Sequence, residues 1–545
     1  MHLRLLGTIW GLVAFALADA GQHPLSAGSW SGRRWDDPPD PDATGHLLFD
    51  TAVNLLKHWS NAYHRNGHNV VSVAIPPGTL LYHGRAKLFY HSQGGIYDPT
   101  EPPTGPEWLT PDEDHALYFS AWEGHLYTYT ATRELRLLYF DGTSAAVLPT
   151  GTQDTQDVII YGNVTEFHWS PFIRITQLCD WAQKYRLDGF VRMEFDFEIM
   201  YCNFTDGLKL ISDVDVVPAV FDPPEGWVGS LRPKNLVAYE TIVAGNWHNW
   251  EPLAGMHVDY SKLISFYDPK YRSLVELRRK ASSRSEHRLQ NISASDVHTL
   301  FDDLDDILTR APTDRGSRFD WRGLMRHIVE QFADRLQYLQ HLVHAQDDRR
   351  PGEDGEPHDI ASLIFNIRQQ VLTMLAPYIS RRSFATLPGG ALNDTWYEQT
   401  IARCTSAHTA HLNTTQFTPQ EHVLKSAVEE TLHEICRTLV LIWRTAYTSE
   451  SIISFDQQLG LVEGWKSEMD RLINWLDWAV WQQCSPACSE DHMCSVPQWP
   501  FDGILNGTER STPRCISKLH WKPNNWRPSA TAGDGMYSLG GQHQI

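Results

Sequence analysis

The sequence predicts an α+β amino-terminal half, an all-α half and a short cysteine-rich tail. Strand signals dominate up to about residue 245. From about residue 319, apolar residues recur at helical spacing. Residues 484–545 hold four of the eight cysteines. A chain of 545 residues is too long for one ordinary domain. The expected division is a signal peptide at 1–20, an extended arm at 21–45, an α+β domain at 46–255, a helical domain at 256–483 and the tail.

The elements follow in order. Residues 21–45 are rich in Pro, Gly, Asp and Ser. Leu47, Leu48, Ala52, Leu55, Leu56 and Trp59 share one helical face, which predicts a helix over 46–64. Residues 70–75 are β-branched, and a Pro-Pro-Gly turn precedes a strand at 79–82. Thr110 and Pro111 read as an N-cap and first helical residue. Residues 126–132 alternate aromatic with threonine, and 135–140 form a buried-looking run closed by Asp141-Gly142. One helix interrupts, at 174–185.

In the second half, Phe319, Leu324, Ile328, Phe332, Leu336 and Leu339 mark one amphipathic helix, and 361–379 another. Between them, 347–359 is charged and contains Pro and Gly, which reads as a mobile loop. Thr418-Pro419-Gln420-Glu421 is a capping box that opens a long helix through Leu424, Leu432 and Leu439. A further helix runs through Trp465, Leu472 and Val480.

Residues 187–202 stand out. An Asp188-Gly189 turn leads into strict alternation, with Phe195, Phe197 and Ile199 on one side and Glu194, Asp196 and Glu198 on the other. Three carboxylates on one strand face repel, which raises at least one pKa. Such a row is either solvated or used.

Composition narrows the function. A net charge of −20 repels phosphate backbones and argues against nucleic-acid binding. The apolar run 5–17, followed by Ala18-Asp19-Ala20, reads as a secretory signal peptide and is too short to span a bilayer. No later segment is long and apolar enough to do so, and the chain is expected to be extracellular. Asn163, Asn203, Asn291, Asn393, Asn413 and Asn506 each begin a glycosylation sequon. The even cysteine count suggests Cys179 with Cys202, Cys404 with Cys436, and two bridges among Cys484, Cys488, Cys494 and Cys515. Zinc is the alternative for the last four. Their spacing is not a tidy Cys-x2-Cys pair, and an oxidising compartment favours disulfides.

Tyr82-His83-Gly84, Trp108-Leu109-Thr110 with Ala116-Leu117-Tyr118, Arg133 to Asp141, and Asp188-Gly189 with Glu198-Ile199-Met200-Tyr201-Cys202 occur in this order. In that order they resemble the ADP-ribosyltransferase-like superfamily. The resemblance implies a split β-sheet and NAD as co-substrate, with no metal. It implies cleavage of the nicotinamide–ribose bond, with ADP-ribose passing to a protein or small-molecule acceptor or to water. Glu198 would hold the ribose and stabilise the cationic sugar. His83, with Gly84 beside it, would orient the cofactor. Tyr118 or Trp108 would stack on nicotinamide, Thr110 would line the cofactor site, and Asp196 would orient the acceptor. Arginine-modifying members carry Glu-x-Glu where this chain has Asp196-Phe197-Glu198. The whole chain also resembles a group of secreted proteins of filamentous fungi. The alternatives are a non-catalytic secreted effector or binding protein on the same fold, and a glycosidase using Glu194, Asp196 and Glu198.

Overall fold

The computed structural model describes residues 35–85, 100–120, 124–165, 171–216, 239–243, 245, 255–311, 316–345, 360–380, 395–448, 454–499 and 512–517. The signal peptide, most of the arm, the 347–359 loop and the sequons at Asn393 and Asn506 lie outside them.

Helices α1 (Gly45–Val53) and α2 (His58–His64) open the described chain. The single helix expected at 46–64 is broken between them, where Leu56 adopts a left-handed φ of 58°. Strands β1 (Asn69–Ile75), β2 (Leu80–Arg85) and β3 (Glu107–Leu109) follow, then helix α3 (Glu113–Phe119). Strands β4 (His125–Ala131) and β5 (Leu135–Phe140) lead to helices α4 (Asp154–Tyr161) and α5 (Pro171–Ala182). Strands β6 (Gly189–Met193), β7 (Phe197–Tyr201), β8 (Leu208–Asp215) and β9 (His257–Ser265) complete the main strand set. Helices α6 (Arg272–Arg278), α7 (Ala294–Thr309), α8 (Trp321–His344), α9 (Ile360–Leu375), α10 (Thr395–Ser406), α11 (Pro419–Thr448) and α12 (Phe455–Leu476) come next. A small hairpin, β10 (His492–Ser495) with β11 (Arg514–Ser517), closes the described chain.

The fold is α+β. A six-stranded sheet has the order β3-β7-β6-β5-β1-β9, and a three-stranded sheet the order β2-β4-β8. Only the β5–β6 pairing is parallel in the larger sheet. The two sheets meet where Tyr82 of β2 exchanges backbone hydrogen bonds with Thr110, just past β3.

Helices cover both faces of the larger sheet. Val71, Val73, Leu137, Tyr139, Val191, Phe197 and Ile199 share a core with Met325, Phe332, Ile367, Leu432, Ile435 and Leu472 of the later helices. Val70, Leu138, Phe140, Phe190 and Met200 pack the other way, against Val158, Ile175, Leu178, Leu300 and Leu304. Strands so covered need apolar residues at successive positions, and β6 and β7 are buried throughout.

The expected boundary at 255/256 falls just before β9, which pairs with β1 in the larger sheet. Leu274 of α6 and Leu300 of α7 belong to that sheet's second core. The later helices share their core with its first face. Periodicity marks the change of secondary structure but not this common core.

The capping box forms as expected. The Thr418 hydroxyl accepts from the Glu421 amide, and the Glu421 carboxylate accepts from the Thr418 amide. Cys179–Cys202 and Cys404–Cys436 are disulfides, with Cα atoms 5.5 and 6.2 Å apart. The pairing left open is Cys484–Cys494 and Cys488–Cys515. The first bridge pins α5 to the end of β7 and closes a loop of sequence separation 23. Replacing Cys179 and Cys202 together by serine is therefore expected to cost about 3 kcal/mol, read by denaturant titration against wild type.

Candidate functional site

The acidic stretch is not one strand. β6 and β7 form an antiparallel hairpin in which Arg192 faces Glu198 and Met193 faces Phe197. Glu194, Phe195 and Asp196 make the turn, closed by a hydrogen bond from the Glu194 amide to the Asp196 carbonyl. Facing residues have equal parity in this hairpin, so the alternation runs on through the turn. The pattern of a single strand and of this hairpin is the same. Of the three acids, Glu194 and Glu198 stay close together and Asp196 goes elsewhere.

Glu198 lies on the face covered by α4 and α5, on the same side as Met200. Its carboxylate accepts from Nε of Arg192 at 2.9 Å and from Nη2 of the same residue. Arg192 also donates to Oε1 of Gln156 on α4 at 3.1 Å. Both partners of the ion pair are buried. Burial pulls the Arg192 pKa down, and the Glu198 carboxylate works against that. Glu194 is buried nearby. Burial, and then the charge of Glu198, push its carboxyl well above the usual range. The Arg174–Asp157 pair, at 2.6 Å, continues the polar seam towards a cavity of about 40 Å³. That cavity is lined by Gln153, Asp154, Asp157, Thr165, Arg174 and Arg288 among others, and by none of the three acids.

Asp196 turns elsewhere. It is fully buried, accepts from the Phe197 amide at 2.7 Å and lies 3.9 Å from Nδ1 of His115. Thr110 joins this group. Its hydroxyl donates to the Phe197 carbonyl at 3.0 Å and lies 3.2 Å from Nδ1 of His115. Thr110 is not the helix cap: Asp112 is, accepting from the amides of Asp114 and His115. Tyr118 packs beside Phe195, in a cluster with Tyr239 and Ile242.

His83 sits with the other core. Its ring lies 6.1 Å from that of Tyr127 and 5.6 Å from that of Phe204, both members of the core shared with the later helices. Nδ1 donates to the Trp108 carbonyl at 2.6 Å, which fixes the neutral tautomer. Nε2 is buried without a hydrogen-bond partner among the described residues. Burial lowers the pKa to about 4. Gly84 has a packing reason: a Cβ there would lie 1.7 Å from the Ala116 carbonyl oxygen of α3. Trp108 points to α5, its ring edge-on to Phe172 at 4.9 Å.

The structure thus brings Thr110, Asp196 and Tyr118 together around the hairpin turn. It does not join His83 to Glu198, which pack with different cores, nor Trp108 to Tyr118. Among the described residues His83 and Glu198 make no hydrogen bond or ion pair with one another. The residues missed from sequence are Arg192, Gln156 and His115. The signal for Arg192 was its position opposite Glu198, visible only once the turn is placed at 194–196.

Residues 112–222 match the family described as the YPL277C N-terminal domain. That span runs from the cap of α3 past β8 and includes Asp196 and Glu198, but not His83, Trp108 or Thr110. The chain is similar to uncharacterized protein YPL277C of Saccharomyces cerevisiae, 23% identical over an alignment of 453 positions that covers 63% of this chain and 87% of that protein. It is also similar to uncharacterized protein YOR389W of the same yeast, 22% identical over 398 residues, 55% of this chain. The chain spans only 59% of that second relative. No solved structure matches.

Two predictions follow from the geometry. Glu198→Gln keeps the shape but leaves Arg192 buried without its counter-charge. A loss of about 3–5 kcal/mol is expected in chemical denaturation. His83 is neutral when folded, and its pKa rises from about 4 to 6.5 on unfolding. The unfolded chain therefore binds more protons between those values, and stability falls as pH drops from 6.5 towards 4. The contribution of this one histidine is about 3 kcal/mol over that window. Denaturation of wild type and His83→Asn at pH 4, 5 and 6.5 should show a shallower slope in the variant.

Proposed function

We propose that this chain is a secreted, disulfide-braced glycoprotein that uses an ADP-ribosyltransferase-like split sheet as a binding scaffold and does not cleave NAD. The observation that carries the reading is the placement of Glu198. A glutamate that stabilises a ribosyl cation must face the developing charge. Glu198 instead faces the Arg192 guanidinium, which repels a developing cation, and lies in a different sheet from His83.

Secretion is supported by the apolar amino terminus and by cysteine usage. All eight cysteines pair, a pattern suited to an oxidising compartment. Glycosylation is supported by the sequon asparagines Asn163, Asn203, Asn291 and Asn413, all exposed. At Asn203 and Asn413 the amide oxygen accepts from the amide and hydroxyl of the threonine two residues on. Among the described residues no helix is long and apolar enough to cross a membrane. Binding rather than turnover is supported by β8, an edge strand that exposes Leu210, Ile211 and Val214.

The test is nicotinamide release from NAD by the purified glycoprotein, followed by chromatography, with wild type and Glu198→Gln side by side. The expected result is no release above buffer for either, with a lowered melting temperature for the variant. Release by wild type, abolished in a variant that still folds, would overturn the proposal.

A further inference from the structure

We propose that the tail carries a thiol–disulfide exchange site, where an external thiolate entering at Cys515 converts the two tail bridges into Cys484–Cys488 and Cys494–Cys515. The bridges present are Cys484–Cys494 and Cys488–Cys515. They are close neighbours: the Sγ atoms of Cys484, Cys488 and Cys515 all lie within 4.8 Å of one another. Cys494 brings the fourth sulfur through its bond to Cys484. A thiolate released from one bridge is therefore already beside the other.

The second observation is the register of the hairpin. Cys494 of β10 and Cys515 of β11 face one another as direct cross-strand partners, yet each is bonded elsewhere. Directly opposed residues of an antiparallel pair share a face and have Cα atoms about 4.5–5.5 Å apart. A disulfide spans about 4.4–6.8 Å between Cα atoms, so this pair can be bridged without moving a strand. The other new pair, Cys484 and Cys488, already has its sulfurs within 4.8 Å. Cys515 is exposed, whereas Cys484, Cys488 and Cys494 are half-buried, so an entering thiol meets Cys515 first.

The exchange needs a low-molecular-mass thiol and no net oxidant or reductant. Its thiolate attacks Sγ of Cys515, forms a mixed disulfide there and expels the Cys488 thiolate. The Cys488 thiolate attacks Sγ of Cys484, forms Cys484–Cys488 and expels the Cys494 thiolate. The Cys494 thiolate then attacks Sγ of Cys515, forms the cross-strand bridge and releases the external thiolate. Two disulfides enter and two leave. What changes is the anchoring of the hairpin, whose Met493 and Ile516 pack with Tyr118, Phe195 and Tyr239. Before exchange each strand is tied to the 484–488 segment, and afterwards the strands are tied to one another.

The test is disulfide mapping of the full-length protein after incubation with reduced glutathione in mildly alkaline buffer, quenched with N-ethylmaleimide. Trypsin cuts after Arg514 and Asp-N before Asp491, which puts Cys484 with Cys488 on one peptide, Cys494 on a second and Cys515 on a third. Untreated protein is expected to give one assembly of all three. Glutathione should add a Cys494–Cys515 peptide pair and a peptide with an internal Cys484–Cys488 bridge, and should leave the buried Cys404–Cys436 bridge intact. The proposal fails if glutathione yields only reduced or glutathione-capped Cys488 and Cys515, or no change at all. It fails too if Cys404 and Cys436 exchange at the same rate, because the reaction then reports general unfolding. Cys484→Ser is the second variant. It strands the Cys494 thiol, which is expected to take Cys515 from Cys488, so that alkylation labels Cys488. Labelling of Cys494 alone would overturn the proposal.

Discussion

The larger sheet is covered by helices on both faces, and this constraint governs the chemistry of its polar side chains. Water cannot solvate a charge placed there, so each charge needs a partner within the protein. Arg192 and Glu198 supply one another across the β6–β7 hairpin. Glu194 has no such cation to itself, and burial raises its carboxyl well above the usual range. His83, on β2 of the smaller sheet, is also buried: its Nδ1–H donates to the Trp108 carbonyl and the ring stays uncharged. Three of the most suggestive polar residues in the sequence are thus accounted for by burial, before any ligand is invoked.

The same constraint explains how the two ends of the chain are held together. Arg284 is buried after α6 and lies 2.9 Å from Asp50 of α1 and 3.9 Å from Asp477, the C-cap of α12. His64 of α2 lies 2.9 Å from the same Asp50 carboxylate. Burial alone would depress the Arg284 pKa, but Asp50 and the other nearby acidic groups more than offset it. A buried guanidinium held in this way fixes which segments pack together, because removing one partner strands the charge. It works with the apolar core that runs from the sheet into the later helices. Neither half of the chain has a core of its own on that side.

Much of the secondary structure was legible in the sequence, because it depends on local pattern. Residues 70–75 and 135–140 are strands, and the Thr418–Glu421 capping box opens a helix. Two disulfides pair as expected, although Cys404, expected on a loop, lies on α10, so that its bridge to Cys436 joins two helices. Three features were not legible. The hairpin at 189–201 preserves residue parity through its turn, so alternation could not reveal it. The helix break near Leu56 depends on a left-handed backbone in a residue that does not favour one. The burial of β6 and β7 on both faces depends on helices far along the chain. The Arg192 partner of Glu198 was hidden for the first and third of these reasons together.

Several of the sequence motifs have packing roles in this fold. Gly84 is needed because α3 crosses β2 too closely for any side chain. His83 is suited to its place because a neutral ring can both fill a core position and donate to the end of β3. Thr110 ties the start of the α3 segment to β7 through the Phe197 carbonyl. Asp188 accepts from the Arg136 amide and pairs with Arg133, which locks the turn before β6 to the start of β5. Gly84, His83, Thr110 and Asp188 each have a structural role that suits their type. A chain that keeps this architecture would therefore keep the motif order even without NAD chemistry. Order of motifs speaks for the scaffold, and only the company each side chain keeps speaks for a reaction.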